Sequence, residues 1–185
     1  MQPLRTTLAL GAALSMLAQG ATSLVLPPSP STQYSGTTGD VVNDLLFATG
    51  FLLLGGFLLL SSRSAKRLVT AGLVSASVGA VLLSAAILAT VAAGEERWDA
   101  AYIAGFVLSA IGYLVATVGR RSWIFGALML GTVLALAFFA NAGALALSGA
   151  VLLVLWNSIA QTQDPEPTLG DQDKGAASGL ARPLA

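Results

Sequence analysis

The placement of charge constrains this chain more than any other feature. Its charged side chains divide it into five uncharged runs, 6–39, 45–62, 68–94, 100–119 and 122–163. A helix that crosses a bilayer needs about 20 apolar residues, and one charge at its centre costs about 2.5–3.5 kcal/mol. Charges therefore collect between spans, and here they collect between apolar runs of spanning length. Composition agrees. Apolar residues make up 55% of the 185 residues, charged residues 10%, and the mean hydropathy is +0.78. A soluble domain carries about 25% charged residues, so a chain this apolar cannot cover its surface with polar groups.

The sequence predicts an all-α fold, a polytopic transmembrane helical bundle of six spans. The transmembrane domain covers 1–160, with spans at about 7–26, 41–60, 68–93, 100–118, 123–140 and 144–160. The last uncharged run is too long for one span, because its 42 residues would reach about 63 Å as one helix against a hydrocarbon core of about 30 Å. Asn141-Ala142-Gly143 offers the turn that splits it. The third span exceeds the length a bilayer needs and is expected to tilt or project.

Orientation follows from the sign of the loops. Arg5, then Arg63, Lys66 and Arg67, then Arg120 and Arg121 fall on one side. Asp40 and Asp44, then Glu95, Glu96, Arg97 and Asp99 fall on the other. Basic residues collect in cytoplasmic loops, which places both termini in the cytoplasm and the acidic connections outside, in the plasma (inner) membrane. Trp98, Tyr102, Trp123 and Trp156 lie near span ends, the depth that amphipathic rings prefer. Seven Arg against two Lys in an Ala- and Leu-rich chain fit a GC-rich bacterial genome.

The first span has a competing reading. Arg5, the apolar run 8–18 and the small residues before Ser23 also resemble a signal peptide cleaved near Ser23, which would leave five spans. The resumption of apolar character at Leu24-Val25-Leu26 favours a retained helix. The stretch 27–39, rich in Pro, Ser, Thr and Gly, reads as a solvated outer connector. Residues 161–185 read as a disordered polar tail.

The residue inventory excludes much chemistry. There is no Cys and no His, so disulfides, thiolate nucleophiles, imidazole catalysis and the usual zinc and haem ligands are absent from the sequence. The formal net charge is zero, which removes the basic footprint of a nucleic-acid binder. The spans hold no ionisable residue where a proton or ion path would place one; Gln19, Asn141 and Asn157 are the strongest polar groups within or beside them. Asn141 suits a turn, Asn157 an interfacial end, and Gln19 either a hydrogen bond between helices or a signal-peptide cleavage region. Neither an enzyme nor a cofactor is expected.

Two constellations remain. Asp40, Asn43 and Asp44 share one side of the first turn of the second span, where carboxylates complement the helix dipole and Asp40 suits the N-cap. Joined by Glu95, Glu96 and Asp99, the carboxylates Asp40 and Asp44 form an outer acidic cluster whose oxygens suit a hard cation, although capping and topology account for the same residues. Small residues form stripes: Gly72, Ser75, Ala76 and Gly79 on the third span, and Gly105, Ser109 and Gly112 on the fourth. Such spacing lets helix backbones approach closely and is read first as intrachain helix packing. A dimer face or a groove for a lipid tail is the functional alternative. The expected partners are membrane lipids and another membrane protein or a second copy of this chain, with no nucleic acid. The chain reads as a non-catalytic accessory, partner-binding or lipid-associated membrane protein; a small transporter or permease subunit for a neutral or apolar solute is the alternative.

Overall fold

The structure is a computed structural model, and it describes residues 2–26, 36–63, 65–94, 99–120, 126–128, 130–132 and 148–153. Four long helices follow one another: α1 (Gln2–Val25), α2 (Thr38–Ser62), α3 (Arg67–Ala93) and α4 (Asp99–Arg120). Each holds a stretch long and apolar enough to cross a membrane, from 20 residues in α4 to 27 in α3. At 1.5 Å per residue these stretches reach about 30 to 40 Å, so α3 is the one that must tilt or project. The described residues of the expected fifth and sixth spans are helical at 126–128, 130–132 and 148–153. Their turn at Asn141–Gly143, the rest of both spans and the tail 161–185 lie outside the described residues.

Each helix packs against the one before it in antiparallel register. Ser15 Oγ donates to Leu46 O at 2.8 Å, Met16 fills the space beside Gly50, and Leu8 lies beside Gly56, so α1 and α2 run in opposite directions. Ser77 Oγ donates to Gly55 O at 2.8 Å and joins α2 to α3. The short turn between them is tied by Thr70 Oγ1, which donates to Ser62 O at 3.0 Å and to Ala65 O at 3.1 Å. Gly94 ends α3 in the left-handed region at φ 70°, with its N–H donating to Thr90 O; there a side chain would be strained.

Buried apolar side chains from all four helices join Leu128, Ala150 and Val151 in one core. Ser148 Oγ donates to Ala13 O at 3.0 Å, so the helical residues 148–153 lie against α1.

All four helices begin ahead of the spans set by hydropathy, and α2 and α4 also run past them, because a helix continues into the interface until something caps it. The start of α2 corrects the expectation for Asp40. Thr37 is the N-cap and the helix opens at Thr38, ahead of the expected 41. Asp40 stands at N3: the Thr37 hydroxyl accepts from Asp40 N at 3.2 Å, and the Asp40 carboxylate accepts from Thr37 N at 3.1 Å. This reciprocal box satisfies two backbone donors where Asp40 alone at the N-cap would satisfy one.

The antiparallel order gathers charge by sign. Arg5, Arg63, Lys66, Arg67 and Arg120 fall at one end of the four helices, and Asp40, Asp44 and Asp99 at the other. These are called the basic and the acidic end below.

Candidate functional site

Two regions concentrate the residues singled out from the sequence. The first is the seam between α3 and α4. A methyl group placed on Gly72 would lie 2.7 Å from both Gly112 O and Ala116 N; on Gly79 it would lie 2.5 Å from Gly105 O and Ser109 N. Seen from α4, a methyl on Gly105 would lie 2.9 Å from Gly79 O and Leu83 N, and one on Gly112 would lie 2.6 Å from Gly72 O. Ser75 Oγ donates across the seam to Leu108 O at 3.1 Å, and Ala76 is fully buried against Gly112. Gly72, Ser75, Ala76, Gly79, Gly105, Ser109 and Gly112 thus meet in one interface, backbone against backbone over about three turns. Such close approach is what small residues permit in lipid, where helix association rests on packing rather than on expulsion of water. The seam is filled by the chain's own backbone, which leaves no space along it for a lipid tail or a second copy.

The second region is the acidic end of the α1–α2 pair. Asp40 is buried in its capping box, and Asn43, one turn further on, is buried at 3% exposure. Asn43 Nδ2 donates to Gly39 O at 2.8 Å and to Leu26 O at 2.9 Å, tying the first turn of α2 to the residue after α1. Its Oδ1 is buried with no hydrogen-bond partner. On α1, Gln19 is 2% exposed, and its Oε1 is likewise buried and unpartnered. Ser23, one turn beyond Gln19, is buried and donates to Gly20 O at 2.9 Å. Asp44 is half-buried, within electrostatic range of the Tyr102 hydroxyl in the first turn of α4.

The five carboxylates proposed for a cation are placed unevenly. Asp40 and Asp44 share α2; Glu95 and Glu96 lie outside the described residues, and Asp99 opens α4. Among the described residues no group of three Asp, Glu, His or Cys is arranged to hold a metal ion.

Sequence reasoning passed over one feature. Tyr113 is fully buried in α4 with its hydroxyl turned toward that of Thr132, and Ser109 Oγ, one turn earlier on α4, is buried without a hydrogen-bond partner. The signal available was a lone tyrosine inside an uncharged apolar run, a position where its hydroxyl needs a partner.

No family model, curated protein or solved structure matches this chain.

Proposed function

We propose that the chain is a six-span integral protein of a bacterial plasma membrane. It serves as a non-catalytic accessory, partner-binding or lipid-associated component, with its basic end and both termini in the cytoplasm. The observation that carries this reading is the α3–α4 seam. Alternating access requires helices to shift against one another about a central site. Helices in backbone contact over about three turns form a rigid plate, which suits a scaffold. The outward face of α4 supports the same reading: Ile103, Val107, Ile111, Leu114 and Val118 are each at least 43% exposed and recur at helical spacing, as a face turned to lipid or a partner helix would. The orientation rests on the basic residues at one end.

A second reading, a small transporter subunit for a neutral solute, draws on the buried hydroxyls of Ser109, Tyr113 and Thr132. One pair of measurements separates the two. The purified protein is reconstituted into liposomes and tested for flux of small neutral polyols, and a photocrosslinker at Ile111 is activated in cells. The scaffold reading expects flux equal to that of empty liposomes and crosslinks to lipid or to one discrete protein. Saturable flux that Tyr113→Phe abolishes would overturn it in favour of the transporter.

A further inference from the structure

The basic end holds one charge that the fold leaves unsatisfied. Arg5 lies near the start of α1 and is half-buried. Its Nε is shielded from solvent and has no hydrogen-bond partner, and among the described residues its guanidinium makes no ion pair. The contacts of Leu8 with Gly56 and of Leu53 with Gly11 set the register of α1 against α2. Moving one turn back from Leu8 brings Arg5 level with Leu59, in the last turn of α2.

Topology alone does not ask for such a group. Basic residues mark the cytoplasmic side whether or not they are shielded. A guanidinium nitrogen taken out of water without an acceptor is costly, and its planar fork matches carboxylate and phosphate. The described residues of this end supply no carboxylate, because Asp40, Asp44 and Asp99 all lie at the other. The surroundings are positive instead. Lys66 and Arg67, where α3 begins, are exposed and make no ion pair with a described residue; Arg63 has a contact of its own and is not counted. Leu4 and Leu59, 56% and 47% exposed, present hydrocarbon at the level of Arg5. An anion that also brings apolar chains to this place is a phospholipid, and basic residues flanking a membrane span attract anionic headgroups.

We propose that Arg5 holds the phosphate of an anionic phospholipid at the basic end of the α1–α2 pair. The guanidinium donates to the phosphate oxygens, and the acyl chains lie along the apolar surface that Leu4 and Leu59 begin. Lys66 and Arg67, at the same end, favour a headgroup of net negative charge over a zwitterionic one, whose cation they repel. The proposal deepens the lipid-associated reading above and rests on its membrane setting, not on its scaffold role.

The test titrates the full-length protein in detergent with phosphatidylglycerol or phosphatidylcholine of the same acyl chains and counts bound lipid by native mass spectrometry. One phosphatidylglycerol should be held at least about tenfold more tightly than phosphatidylcholine. Arg5→Gln should lose that preference. Arg120→Gln, which removes the same charge from the end of α4, should keep it. Equal retention of the two lipids overturns the proposal, as does a preference that survives in Arg5→Gln or falls equally in Arg120→Gln, which would make the attraction diffuse. Displacement of the lipid by inorganic phosphate at equal concentration overturns it too, since the site would then read a free anion. Should Arg5→Gln fail to fold, Arg5→Lys decides: it keeps the charge and loses the fork, so the preference should weaken several-fold, and an unchanged preference overturns the proposal. Reconstitution into nanodiscs tests the membrane setting separately. A chain that enters neither lipid overturns that setting and the proposal with it, whereas entry into both with equal retention in the titration overturns the proposal alone.

Discussion

Adding one methyl group at Gly112 tests whether the α3–α4 seam is as close as described. The new carbon would lie 2.6 Å from Gly72 O and 2.8 Å from Ala76 Cα, both backbone atoms that cannot swing aside. Ala76 N lies closer still and ordinary contact begins near 3.4 Å, so the helices must part locally by about 1 Å. A gap of that size forfeits about a quarter to a half of each dispersion contact beside it. Overpacking of this kind costs about 1–3 kcal/mol, and replacing glycine by alanine in a helix returns about 0.5–1 kcal/mol. Gly112→Ala should therefore destabilise by about 1–2 kcal/mol and lower the melting temperature by about 2–8 °C. Gly149→Ala supplies the control: it makes the same chemical change in a helical stretch, where a methyl group meets nothing within 4 Å. There only the helical gain of about 0.5–1 kcal/mol remains, so stability should hold or rise. The assay is thermal unfolding in detergent followed by helicity and by monodispersity. If the two variants respond alike, or if Gly112→Ala is the more stable, the backbone contact is not what holds α3 to α4. Gly72→Ala opens the same seam, so its cost and that of Gly112→Ala should sum to more than the cost of the double variant.

Three further outcomes follow from other contacts. Gly50→Ala sets its methyl group against the Met16 side chain; a thioether chain can move, so in the same melts the loss should stay under about 1 kcal/mol, below that of Gly112→Ala. Thr37→Ala removes the capping box of α2 and should cost about 1 kcal/mol, with Thr37→Ser restoring most of it. The chain has no native cysteine, so Arg63→Cys and Thr38→Cys can each be labelled alone; in intact cells an impermeant maleimide should reach Thr38→Cys and miss Arg63→Cys, and the reverse pattern would invert the proposed orientation.

What the sequence made legible was whatever depends on the membrane as a solvent. Uncharged runs between basic and acidic loops located α1 to α4, because an unpaired charge inside a span is costly whatever its neighbours. The stripes of Gly72, Ala76 and Gly79 and of Gly105, Ser109 and Gly112 were visible as helix-packing surfaces for the same reason. Their pairing with each other was not, since small-residue spacing names a surface and not its partner; Gly50 belongs to the same residue class and meets Met16 of α1 instead. The Thr37–Asp40 box was written in the sequence as Thr-x-x-Asp but lay at the border of a stretch that composition assigns to a loop. Gln19 stood out as polar, yet its unpartnered oxygen appears only once α2 lies against it. The buried Tyr113 was hidden by the apolarity of its own run.

The hydrogen bond from Ser148 to Ala13 joins residues 135 positions apart, and that separation is also an interval of time. Chains are made at about 5–20 residues per second, so Ala13 is synthesised about 7–27 s before its partner exists. Helices α2, α3 and α4 can each dock on a predecessor already in the membrane. The flank of α1 that receives Ser148 cannot, and it waits through the insertion of everything between. Until then Ala13 faces lipid or the insertion machinery uncovered, which leaves this flank of a partly synthesised chain exposed to mispairing or to quality control.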